Sequence, residues 1–134
     1  DDVINVAGHR LGTREIEEAI QIHSAIAEVA VVGVEDKLKG QMPMAFAVVK
    51  DASRVATPEL AKALEKEVMA TVDGSLGAIA RPGRVYFVTG LPKTRSGKML
   101  RRSLQALAEG RDVGDLPTID DASTIEQIRN LLAS

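Results

Sequence analysis

The apolar positions change period several times along the chain, and each change marks an element. "DVINVAG" carries enough β-branched residues for a short strand, which Gly8 ends or bends. In "GTREIEEAIQIH", Ile16, Ala19, Ile20 and His23 recur at helical spacing. Thr13 is placed to cap that segment, and Glu15, Glu17 and Glu18 fall where unpaired backbone N–H groups carry partial positive charge, so an amphipathic helix is predicted over 14–22. "AEVAVVGV" and "MPMAFAVVK" are apolar runs of strand length joined by the polar "EDKLKGQ", which predicts two neighbouring antiparallel strands. Pro43 has no N–H to give a ladder and suits an edge or a first residue better than a central place. Thr57, Pro58 and Glu59 open "TPELAKALEKEVMATV" as a helix with Leu60, Leu64 and Val68 facing the core. "RPGRVYFVTG" predicts a third strand, Arg84 to Thr89, and "MLRRSLQALAEG" a helix with Leu100, Leu104 and Leu107 inward and Gly110 at its stop. A polar connection and a short helix from about Ser123 close the chain.

These elements predict an α+β fold, with a small antiparallel sheet of about three strands flanked by helices, a short N-terminal strand or hairpin, and a C-terminal helical tail. The domain is expected over residues 1–112 and the tail over 113–134. Composition refines this. With 134 residues, 45% hydrophobic and 27% charged, the chain suits one folded domain, and 2% aromatic makes its core aliphatic. The absence of cysteine excludes disulfides and thiolate metal sites and agrees with a reducing, cytoplasmic location. A formal net charge of -2 argues against a general nucleic-acid binder, and no apolar run reaches membrane-spanning length. The opening Asp1-Asp2-Val3, with no initiator Met and no leader pattern, reads as the edge of an excised piece.

One stretch resists the bland reading. "LPKTRSGKML" places Lys93, Arg95 and Lys98 around a Ser-Gly turn where a helix is expected to begin, and basic side chains there oppose the helix macrodipole unless an anion visits. A solvated surface loop is the plain alternative. A phosphate-binding P-loop fails on spacing: Gly90 and Gly97 enclose six residues, Pro92 removes a donor, and Met99 stands where Ser or Thr is needed. A mobile cationic finger fits better, with Pro92 stiffening its base, Gly97 turning the chain, and a helix start near Lys98 adding N–H donors. Such a finger needs an anion held elsewhere, because no other catalytic set is visible.

Two segments together carry a resemblance. "DDVINVAGHRLGTREIEEAI" and "LPKTRSGKMLRR" resemble the first and last signature motifs of the C-terminal domain of AMP-forming acyl-CoA synthetases, within the adenylate-forming superfamily. The tail "EGRDVGDLPTIDDASTIEQI" is similar to the short-chain branch, propionyl-CoA synthetase before acetyl-CoA synthetase. The resemblance implies a ligase that joins a carboxylate to ATP, giving acyl-adenylate and pyrophosphate, and then passes the acyl group to CoA with release of AMP. It implies ATP, CoA and Mg as substrates and metal of the full-length enzyme. It also implies a large N-terminal ATP-binding domain, outside this chain, as the partner against which this domain rotates.

Carried over by position, Lys98 matches the adenylation lysine, Asp1 the hinge, Arg10 a nucleotide-phosphate contact, and Gly8 the glycine beside the pantetheine tunnel. Ala7 stands where relatives often place Ser near CoA, and Asp73 lies where basic residues for the CoA nucleotide are common, so both are departures. The branch implies a cation on the backbone carbonyls of Gln21, His23 and Ile26, against the plainer reading of His23 as a satisfied helix-end residue. "PKTRSGK" also resembles a lysine-acetylation sequence, making Lys98 a modification site and a protein acetyltransferase and deacetylase expected partners. Lys93 and Arg95 are expected to be solvated. The rivals are an adenylation domain serving a carrier protein and a non-catalytic module whose basic loop docks an acidic partner.

Overall fold

The structure, a computed structural model, describes residues 3–38, 40–114, 119 and 121–133. In chain order the elements are β1 (Val3–Val6), β2 (His9–Gly12), α1 (Thr13–Gln21), β3 (Ile26–Asp36), β4 (Gly40–Val49), α2 (Pro58–Leu76), β5 (Arg84–Phe87), α3 (Arg101–Ala108) and α4 (Ser123–Ala133), with 3-10 turns at Ala52–Val55 and Ala78–Ala80.

The fold is α+β, as the pattern predicts, but its sheet is larger and mixed. Five strands join in the order β2-β1-β4-β3, with β5 parallel to β4. β3 and β4 form the expected antiparallel hairpin. The β1–β2 hairpin enters the sheet through Val6 opposite Gly40, and β5 lies beside Met44 to Ala47. β5 runs parallel because the chain from β4 returns through α2, the kind of crossover that parallel strands require. Local periodicity carries no information on strand direction.

Both faces of the sheet are covered, which is why β3 and β4 read as continuous apolar runs. On one face Ile16 and Ile20 of α1 and Leu64, Val68 and Val72 of α2 pack on Val29, Val31, Ala45, Ala47 and Val85. On the other, Leu104 and Leu107 of α3 and Ile125 and Ile128 of α4 pack on Ala30, Val32, Met44 and Phe46. Leu60, predicted to face the core, is 47% exposed because it sits in the first turn of α2, N-terminal to the turns that meet the sheet. Pro43 is buried within β4, yet its place obeys its chemistry. Its carbonyl accepts from Gly83 N–H, so the missing donor faces the flank of β4 where β1 has ended at Gly40 and β5 begins at Met44.

The helix starts differ from each other. Thr57 caps α2 as predicted, accepting from Leu60 N–H at 3.2 Å with Pro58 at the first position. Thr13 does not cap α1. Gly12 occupies the cap position without a side chain, and Thr13 lies one residue inside, 1% exposed, with a buried hydroxyl that has no hydrogen-bond partner among the described residues. An orphaned hydroxyl weighs against folding, so Thr13→Val, which keeps the shape, should stabilise by about 1 kcal/mol. An upward shift of the denaturant midpoint at unchanged slope checks this.

One irregularity directs a side chain. The β3–β4 register shifts between Ile26 and Glu28, leaving Ala27 as a bulge. The extra residue lets Ile26 join the α1/α2 core while Glu28 takes the face shared by Ala30 and Val32. Gly33, further along β3, is the floor under β1: a Cβ there would lie 2.2 Å from Ile4 Cγ2.

Candidate functional site

The N-terminal motif folds into a two-residue hairpin. Val6 pairs with His9 across a turn in which Ala7 and Gly8 both have positive φ, 50° and 85°, as the mirror-image turns of tight hairpins require. Gly8 meets that demand freely, whereas Ala7 carries a Cβ in a region alanine rarely adopts. No atom lies within 4 Å of where a Cβ on Gly8 would be, so the turn geometry, rather than crowding among the described residues, asks for glycine. Arg10 stands exposed on β2 opposite Asn5. Neither Glu15 nor Glu17, the acids that could pair with it on the surface, engages it among the described residues, and Glu17 is committed to Arg101.

The basic segment is a miniature hairpin rather than a helix start. Lys93 bridges to Met99, Thr94 N–H donates to Lys98 C=O at 2.8 Å, and Gly97 N–H donates to Thr94 C=O at 2.8 Å with φ at +90°. Lys98 N–H is spent on Thr94 Oγ1 at 3.1 Å, and α3 begins only at Arg101. The helix start expected near Lys98 is thus displaced by three residues, because the turn's own bonds hold the backbone that a helix would need. No helical N–H donors surround the lysine. What remains is an exposed amine with no hydrogen bond or ion pair among the described residues, beside exposed Arg95 and Ser96.

Lys93 departs from its expected solvation. It is half-buried and ion-paired with Glu28, the acid that the β3 bulge turns toward it. Arg101, another cation of the segment, pairs with Glu17. Neither acid was legible as a partner in the sequence, since each lies more than sixty residues away. The only local signal was an acid in a helix whose neighbours are core residues.

Two of the three carbonyls expected to hold a cation accept hydrogen bonds. His23 C=O accepts from Ile26 N–H at 3.2 Å, and Ile26 C=O accepts from the Gln21 side-chain amide at 3.2 Å. His23 itself is satisfied: Nδ1 accepts from Ala25 N–H at 3.1 Å and Nε2 meets Glu67 at 2.9 Å. Each of the two carbonyls accepts one hydrogen bond and keeps a second lone pair. Asp73 holds Arg81 in two bonds of 2.9 and 2.8 Å, which raise the guanidinium pKa further, so a cation does stand beside that acid. Asp1 lies outside the described residues. Among the described residues no cluster of three His, Cys, Asp or Glu could hold a metal, and no helix is long and apolar enough to cross a membrane.

The profile of the AMP-binding enzyme C-terminal domain matches residues 15–98, running from the first turn of α1 to Lys98. The chain belongs to this family. Among curated relatives of this AMP-binding enzyme C-terminal domain, the propionate–CoA ligase of Escherichia coli is 58% identical over 98% of the chain and 21% of its own length. The acetyl-coenzyme A synthetase of Pyrobaculum arsenaticum is 49% identical over 96% of the chain and 18% of its own length. The chain therefore spans about a fifth of the curated relatives it matches. Among solved structures, an acyl-CoA synthetase from Brucella canis superposes with a TM-score of 0.68 at 40% identity, covering 78% of this chain and 18% of that one.

Proposed function

We propose that this domain serves an AMP-forming ligase that activates a short-chain carboxylate, propionate before acetate, with ATP and transfers the acyl group to CoA. The observation that carries this reading is the exposed amine of Lys98, unpaired among the described residues, at the last matched position of the family profile. A carboxylate oxygen attacks the α-phosphorus of ATP, and pyrophosphate leaves. The CoA sulfur then attacks the acyl carbonyl, and AMP leaves. In the first step negative charge moves onto phosphate oxygens, and a compact ammonium with three donors suits that place.

The partner is an N-terminal domain of the same polypeptide that binds ATP and the carboxylate. Mg would enter with ATP in that body. Rotation about the chain near Asp1 would bring first Lys98 and then the Ala7–Gly8 turn to the active centre. Arg10, unpaired among the described residues, is free to meet the nucleotide phosphate, and Gly8 leaves room for the CoA arm. Acetylation of Lys98 by a cytoplasmic acetyltransferase would remove the charge the first step needs, and a deacetylase would restore it.

The test is an assay of the full-length enzyme on acetate, propionate and butyrate with CoA. Propionyl-CoA formation at the highest kcat/KM supports the reading. AMP release only with a phosphopantetheinyl carrier protein in place of CoA sinks it.

A further inference from the structure

Lys98 has no partner among the described residues, but the chain on either side of it is tethered. Before it, Lys93 pairs with Glu28 of β3. After it, Arg101, the first residue of α3, sets Nη1 and Nη2 against the two carboxylate oxygens of Glu17 in α1 and donates from Nη1 to Val31 C=O at 3.0 Å. Glu17 in turn accepts from Val31 N–H at 2.8 Å. The Glu17 and Arg101 side chains are only 15% and 26% exposed, so this pair is largely withdrawn from solvent, unlike Lys93 and Glu28 at 33% and 42%.

The network has a local reason and a distant consequence. Val31 turns its N–H and C=O to the outer edge of β3, away from β4, and the acid and the guanidinium satisfy both groups. Gln105, one helical turn after Arg101, does the same for Gly33 C=O at 2.8 Å, so α3 is stitched along that edge. Glu17 also belongs to the helix that directly continues the strand bearing Arg10. A single guanidinium thus joins the two motif segments, and the attitude of the Lys98 loop is referred to the same element as the Ala7–Gly8 hairpin.

We infer that Arg101 and Glu17 are positioning residues for the adenylation step: they fix the C-terminal foot of the Lys98 loop to β3 and α1, so that only the lysine side chain moves when phosphate arrives. Lys93 and Glu28 form a second, more exposed tether at the other foot. This inference rests on the role given to Lys98 above. A planar, bidentate clamp suits the task because it resists rotation as well as separation, which a lysine at 101 could not do.

The experiment uses the full-length enzyme and measures each half-reaction: pyrophosphate release from ATP with propionate, and CoA consumption from preformed propionyl-adenylate. Because misplacing a reacting group by about 1 Å can cost on the order of 10²-fold, Arg101→Gln should lower kcat for adenylation about 10- to 100-fold with KM for ATP within about twofold. The CoA step should stay near wild type, and Arg101→Lys should fall between. Glu17→Gln keeps an oxygen for Val31 N–H, so its edge of the sheet is preserved while the clamp loses its charge, and it should reproduce the selective loss. Equal loss in both half-reactions, or wild-type adenylation in both Arg101→Gln and Glu17→Gln, overturns the inference. Lys98→Ala separates the layers. If it stops adenylation while the clamp variants do not, the clamp alone is refuted; if it leaves adenylation intact, the role of Lys98 falls and takes this inference with it.

Discussion

Lys98→Ala in the full-length enzyme should lower adenylation about 10³-fold while leaving the reaction of preformed acyl-adenylate with CoA close to wild type. The magnitude follows from one unit charge about 4 Å from an anionic oxygen at an effective dielectric near 20, worth roughly 4 kcal/mol, and each 1.36 kcal/mol is about a factor of ten in rate. The selectivity follows from placement. Lys98 sits on the miniature hairpin that precedes α3, whereas Ala7 and Gly8 sit on the turn between β1 and β2, and in the proposed reaction the two turns are assigned to different steps. Its amine has no partner to lose among the described residues, so the variant should fold normally, and any rate change reports chemistry rather than stability. Lys98→Arg should not rescue fully, since a guanidinium is planar and longer and presents its donors as a fork. Pyrophosphate release and CoA consumption, followed separately, decide the matter, and matched losses in the two would remove the lysine from its assigned step.

Phe46→Ala should cost about 3–5 kcal/mol of stability, the usual range for removing a buried phenylalanine. Phe46 is 0% exposed at the centre of β4, and its ring lies against Tyr86 of β5 with centroids 5.5 Å apart and planes 19° from parallel. On the same face it joins Val88, Leu91, Leu104 and Ile128, so it holds the α3/α4 layer to the sheet beneath the segment that leads into the Lys98 loop. Tyr86 aside, these neighbours are aliphatic. Chemical denaturation measures the loss. Phe46→Leu should recover most of it, and a cost below about 1 kcal/mol for alanine would mean that this layer is not packed as described.

Much of the architecture could be read before any coordinates. Thr57-Pro58-Glu59 specifies a helix start through its own local bonds, and α2 begins where that signal says. The paired apolar runs around "EDKLKGQ" could bury themselves most simply as a hairpin, and β3 and β4 do so. Local signals misled where tertiary packing overrode them. Thr13 has the right chemistry for a cap but lies one residue too far along, because the β2 strand continues through Gly12 before the helix turns. The helix expected from Lys98 starts at Arg101, since Thr94 and Gly97 offer the backbone a closer set of partners. Leu60 has a helical period but no neighbour to cover it.

The candidate site divides along the same line. The order of residues by itself determined that a lysine would stand at a glycine turn after a buried strand, and that a glycine hairpin would precede an acidic helix, because turn and cap chemistry act within a few residues. Only the tertiary structure decided which cations are free. Lys93 and Arg101 meet Glu28 and Glu17 across the sheet, while Lys98 meets no described partner. Charge is written in the sequence one residue at a time, but its neutralisation depends on distances of a few ångströms between segments that the chain keeps far apart, and those distances exist only once the sheet has formed.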